Sequence, residues 1–165
     1  MKNVILALIA ALSLNTFAMS PVSPEQNSFA ELRMGGGMPV PGGLRFRHIW
    51  ITNSGEVNVR EAYYGTDMNK IFEGGLEREY LLGHVDAKDL SELKAAAAGI
   101  TGGGLTKATD PGCMDAPGYS YGVVKGGVIL SIYSRFSCRD SQLKDKRQRP
   151  AANDIKAYLD LWNVR

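Results

Sequence analysis

The chain has 165 residues and a mass of 17.9 kDa, with 22% charged and 44% apolar residues. That length suits one compact domain, the apolar content excludes a wholly disordered chain, and no internal apolar run reaches the ~20 residues of a membrane-spanning helix. The formal net charge of +2 is too small for a nucleic-acid binder, which concentrates positive charge against phosphate.

Lys2, the apolar stretch from Val4 to Leu14 and the small or neutral residues before Ala18 read as a cleavable secretory signal. Thr16 and Ala18 fit the positions three and one before the cut, so residues 1–18 are expected to be removed. Export to the periplasm or the cell exterior follows, with no stable membrane anchor after cleavage. The remainder carries 18 basic against 17 acidic residues and is nearly neutral. Residues 19–43 hold four of the seven prolines and the Gly35–Gly37 run, and are expected to form a flexible lead. Gly35–Gly43 lacks the Lys-Ser/Thr that completes a phosphate-cradling loop.

The folded body is expected over residues 44–165. Leu44 to Thr52 alternates, Asn53-Ser54-Gly55 interrupts, and Val57 and Val59 resume the period, which predicts a hairpin. A two-residue turn would set Trp50 opposite Val59 and His48 opposite Glu61. A three-residue loop would pair Ile51 with Val57, Ile49 with Val59 and Arg47 with Glu61. The first register holds a histidine beside a carboxylate, an arrangement suited to acid–base chemistry. Residues 65–75 read as loop and Glu77 to Val85 as a further strand. Asp86 then caps a helix whose Leu90, Leu93, Ala97 and Ile100 mark one apolar stripe.

Cys113 and Cys138 flank two strand-like runs, Tyr119 to Val124 and Val128 to Phe136. With Lys125-Gly126 as the turn, Val123 faces Val128, Tyr121 faces Leu130, Tyr119 faces Ile132, and the two cysteines face one another. A Gly126-Gly127 turn shifts that register. Two cysteines in an exported chain, outside any C-x-x-C motif, predict one disulfide. The segment 139–149 is polar, and its Lys144, Lys146, Arg147 and Arg149 form a candidate docking patch for an acidic partner. Pro150 opens a last helix with its stripe at Ile155, Tyr158, Leu159 and Trp162.

These elements predict an α+β domain: an antiparallel sheet of about five strands, two helices packed on one face and one disulfide. The sequence carries no H-E-x-x-H, G-x-S-x-G or P-loop pattern, and no cofactor or metal is expected. The run Leu44 to Val59 around Ser54-Gly55, the Leu90/Leu93 helix, the Tyr119-Ser120-Tyr121 strand and the Ile155 to Trp162 helix give an element order that resembles the emfourin type of small secreted protease-inhibitor domain. The resemblance implies a non-enzymatic binding module, of the protease-inhibitor kind, with a protein partner. It transfers no inhibitory residue. The alternative function is a small envelope hydrolase using His48 with Glu61 or another acid.

Overall fold

A computed structural model of the chain describes residue 25 and residues 27–107 and 116–164. The signal expected over residues 1–18 lies outside them. Seven strands, β1 (Ser28–Gly35), β2 (Leu44–Thr52), β3 (Glu56–Tyr63), β4 (Glu77–His84), β5 (Gly118–Lys125), β6 (Val128–Phe136) and β7 (Arg139–Gln142), form one antiparallel sheet in the order β4-β3-β2-β1-β5-β6-β7. Two helices, α1 (Ala87–Gly99) and α2 (Arg149–Asn163), complete the fold. The sheet is thus two meanders, one of four strands and one of three, joined where β1 meets β5.

The expectation of about five strands is corrected to seven. One missed strand, β1, lies inside the stretch expected to be a flexible lead, and the other, β7, inside the polar segment after Cys138. β1 is central, paired with β2 on one side and β5 on the other, and Ala30 and Leu32 are almost wholly buried. Of the expected disulfide, Cys113 lies outside the described residues, and Cys138 is disulfide-bonded and not a free thiol. Cys138 lies beyond the end of β6 at Phe136, in the β6–β7 turn at φ 63, and is not part of the β5–β6 ladder.

Both helices cover one face of the sheet. Ala30, Leu32, Ile49, Ile51, Val57, Val59, Tyr121 and Val123 from the strands share a single core with Leu93 and Ala97 of α1 and with Ile155, Leu159 and Trp162 of α2. Each fully buried Leu or Ile there contributes about 2 kcal/mol by removal from water. The helix boundaries follow local chemistry. The Asp86 side chain accepts from the Asp89 backbone N–H at 2.9 Å, and Pro150 occupies the first turn of α2, where its missing N–H costs nothing.

Two registers settle alternatives that the sequence leaves open. In the first hairpin Ile51 pairs with Val57, Ile49 with Val59 and Arg47 with Glu61, as a three-residue loop requires. In the β5–β6 hairpin the turn is Gly126-Gly127, both at positive φ, and Val123 pairs with Leu130 and Lys125 with Val128. The register built on a Lys125-Gly126 turn is therefore off by two partner residues near the turn, and Tyr119, beyond a bulge at Tyr121/Gly122, pairs with Arg135 and not with Ile132. Two successive glycines accept left-handed backbone at little cost, which a Lys-Gly pair does not.

Candidate functional site

The structure separates His48 from Glu61. Arg47 is opposite Glu61 and His48 opposite Arg60, so strand alternation puts the histidine and Glu61 on opposite faces. His48 does meet a carboxylate, Glu31 of β1, with Nε2 3.2 Å from Oε2. The same carboxylate holds the Arg33 guanidinium, with Nε 2.9 Å from Oε1 and Nη2 3.0 Å from Oε2. The His48 ring stacks between Phe46 and Trp50, at centroid distances of 6.2 and 4.9 Å, and Arg60 lies over Trp50 at 5.7 Å. This ionic and aromatic row runs across the helix-free face.

Chemically the row is a closed one. His48 is 0% exposed and Glu31 2%, whereas an acid–base group must come within hydrogen-bond reach of a substrate. Nε2 lies within hydrogen-bond distance of Glu31 Oε2, while Nδ1 is buried with no hydrogen-bond partner among the described residues. The arrangement satisfies a buried charge pair.

Glu61 does equally structural work on the helix-covered face. Its carboxylate accepts from Tyr63 Oη and Arg78 Nε at 2.8 Å each, from Tyr80 Oη at 3.3 Å, and lies 3.2 Å from Arg47 Nε. Arg47 Nη1 in turn donates to the Asn163 carbonyl at 2.8 Å, so the cluster ties β2, β3 and β4 to the end of α2. Burial alone would raise the Glu61 pKa. The Tyr63 and Arg78 hydrogen bonds and the charges of Arg47 and Arg78 outweigh it and leave the carboxyl below its ordinary value.

The basic residues after β7 are brought together only in part. Arg147 pairs with Asp145 through Nε and Nη2, each at 3.1 Å, and holds that carboxyl well below the usual range. Arg149 Nε donates to the Leu143 carbonyl at 2.8 Å. Lys144 and Lys146 remain exposed. Among the described residues no three His, Cys, Asp or Glu side chains converge to hold a metal ion, and no helix is long and apolar enough to cross a membrane.

The surface that sequence reasoning missed is at one end of the sheet. The β1–β2 loop, the β3–β4 loop, the start of β5 and the β6–β7 turn meet there, because antiparallel pairing brings those strand ends together. The first two loops are tied directly, Gly42 N donating to Gly65 O at 3.1 Å and Tyr64 N to Gly43 O at 2.8 Å. Gly65 and Gly75 let the longer loop fold back on itself, since a Cβ at either would collide with the carbonyl of Glu73 or of Tyr63. Met38, Val40, Met68, Phe72, Leu76 and Phe136 stand on this end, each more than half exposed. They are six of the eleven exposed large apolar side chains among the described residues. Scattered exposed apolar residues need no explanation, whereas five here sit on the two hydrogen-bonded loops and the sixth, Phe136, at the same end of the sheet. The signal was present in the loop composition, but only pairing of strands distant in sequence gathers it. The chain matches no protein-family model and no curated protein.

Proposed function

We propose that the chain is an exported, non-enzymatic binding module that docks a protein partner through the loop end of its sheet. The observation that carries this reading is the set of six exposed apolar side chains at one end of a seven-stranded sheet, five of them on loops. The emfourin-like element order places a protease among the partner classes to try first. Affinity capture from secreted and envelope fractions tests the reading, run beside a variant carrying Met38→Ser, Phe72→Ser and Phe136→Ser. The native protein should retain a defined partner that the purified pair reproduces, and the variant should lose it. Retention of the same proteins by both forms, or repeated capture of none by the native form, ends this reading.

The alternative, a small envelope hydrolase using His48, has the Glu31 contact in its favour and the burial of the ring against it. His48→Gln separates the two. It abolishes any hydrolysis of ester or peptide substrates if His48 is the base and leaves partner capture intact if the protein is a binder.

A further inference from the structure

A second surface lies on the helix layer, where an open groove of about 370 Å³ runs between α1 and α2. Asp89, Glu92, Leu93 and Ala96 line it from α1, and Asp154, Ala157, Tyr158 and Leu161 line it from α2. Both sets follow the spacing i, i+3, i+4, i+7, so each is one continuous face of its helix. Leu93 is buried and Tyr158 half-buried, whereas Glu92, Asp154, Ala157 and Leu161 are exposed, so the groove opens to solvent. Leu161 is 58% exposed and is the one exposed large apolar side chain that either helix carries among the described residues. It lies off the buried stripe of Ile155, Leu159 and Trp162, so the core does not account for it. Ala96 and Ala157 project only a methyl group, which lets another backbone approach closely.

The charges of the groove are of one sign, since Asp89, Glu92 and Asp154 line it and no Lys, Arg or His does. Asp89 stands in the first turn of α1, where the helix dipole favours a carboxylate. Glu92 and Asp154 lie beyond the first turn of their helices, where that effect has faded. Neither enters an ion pair among the described residues, although Lys88 stands four residues before Glu92. The fold therefore leaves these two carboxylates unneutralised beside an apolar floor, and that combination complements a basic amphipathic helix.

We propose that this groove docks one helix of a partner protein, an amphipathic segment whose apolar stripe lies against Ala96, Ala157 and Leu161 and whose Lys or Arg side chains meet Glu92 and Asp154. The inference goes beyond the loop-end reading, because it uses none of the same residues and is lost by different substitutions.

Fluorescence anisotropy with labelled synthetic peptides of about fifteen residues, long enough to form a helix, tests the proposal. One peptide carries a leucine stripe flanked by lysines, the second the same stripe flanked by glutamates, and the third is a scramble of the first. The lysine peptide should bind saturably and at least about tenfold more tightly than either of the others, and more weakly as ionic strength rises from about 0.05 to about 0.5 M. Its amide shift changes should fall on Glu92, Ala96, Asp154 and Ala157. Glu92→Lys with Asp154→Lys, and separately Leu161→Ser, should abolish that preference with circular dichroism unchanged. Glu56→Lys with Glu73→Lys changes the net charge equally elsewhere and should leave binding within about twofold, because the added charges are screened from the groove. The loop-end variant Met38→Ser, Phe72→Ser, Phe136→Ser should bind the lysine peptide as the native protein does. No saturable binding, equal binding of the scrambled or glutamate peptide, undiminished binding by the reversed pair, or loss in the loop-end variant overturns the assignment. A dimer of the protein alone that Leu161→Asp disperses gives the groove to a second copy and overturns it as well.

Discussion

Glu61 meets five donor contacts, from Tyr63, Tyr80, Arg47 and two nitrogens of Arg78, and its side chain is 6% exposed. Replacing it by leucine strands the half-buried Arg47 and frees the end of α2, so Glu61→Leu is expected to cost about 3 kcal/mol, read from the midpoint of urea unfolding. The sign of its pH dependence follows from the depressed folded pKa. The stabilisation is fully present above the unfolded value of 4.5 and is lost as pH falls through the folded one. The Tm gap between the native protein and Glu61→Gln should therefore be widest above about pH 5 and shrink toward pH 3. A gap that stays constant over that range would mean the carboxylate charge contributes nothing. At this scale the sequence left two registers open, and the structure selects the one that pairs Arg47, not His48, with Glu61. Both faces of β2 carry large apolar side chains, Phe46 and Trp50 on one and Ile49 and Ile51 on the other, so hydrophobic pattern could not choose the register.

The elements that were legible are those whose signals are local. Asp86, the Leu93/Ala97 stripe, Pro150 and the Ile155/Leu159/Trp162 stripe mark both helices within a residue or two. β1 was hidden because Glu31 and Arg33 occupy buried positions, where they pair with each other and Glu31 with the distant His48, and because prolines and glycines surround it. β7 is four polar residues and owes its strand form to its neighbours. One of those neighbours is the segment 104–106, which closes the β7 edge: Leu105 bridges Leu143, Thr106 N donates to Gln142 O at 2.7 Å and Lys144 N to Gly104 O at 3.1 Å. The opposite edge, β4, is guarded by Glu77, Arg78 and Glu79 and by a bulge at Leu82. Substituting all three charged residues by threonine should produce concentration-dependent association in light scattering, with the native protein unchanged under the same conditions. Gly83 marks a tighter constraint at that edge. A Cβ there would sit 3.0 Å from two Trp162 ring atoms, so Gly83→Ala is expected to lower stability by about 1–3 kcal/mol in urea unfolding. A neutral result would mean that Trp162 can shift without loss.

For the whole molecule, local pattern marked an antiparallel sheet and two helices, while the count of strands and the centre of the sheet, in a fold that is mostly strand, did not follow from it. The centre is β1, and that has a direct test. A chain beginning at Leu44 lacks the strand between β2 and β5 and should show no dispersed amide spectrum, whereas one beginning at Glu25 should remain folded. An ordered spectrum from the shorter chain would show that β2 and β5 can do without β1.

The seam between β1 and β5 joins Leu32 to Tyr121, residues almost ninety positions apart. Closing so long a loop costs entropy before any contact rewards it, which puts folding in the slow, millisecond-to-second class of sheet proteins. The four-strand meander can assemble from near neighbours, but its β1 flank stays bare until the C-terminal ribbon arrives. A newly made copy therefore passes through a stage in which a hydrophobic strand awaits its last neighbour, and crowding by sister chains during that interval is the chief hazard to its yield.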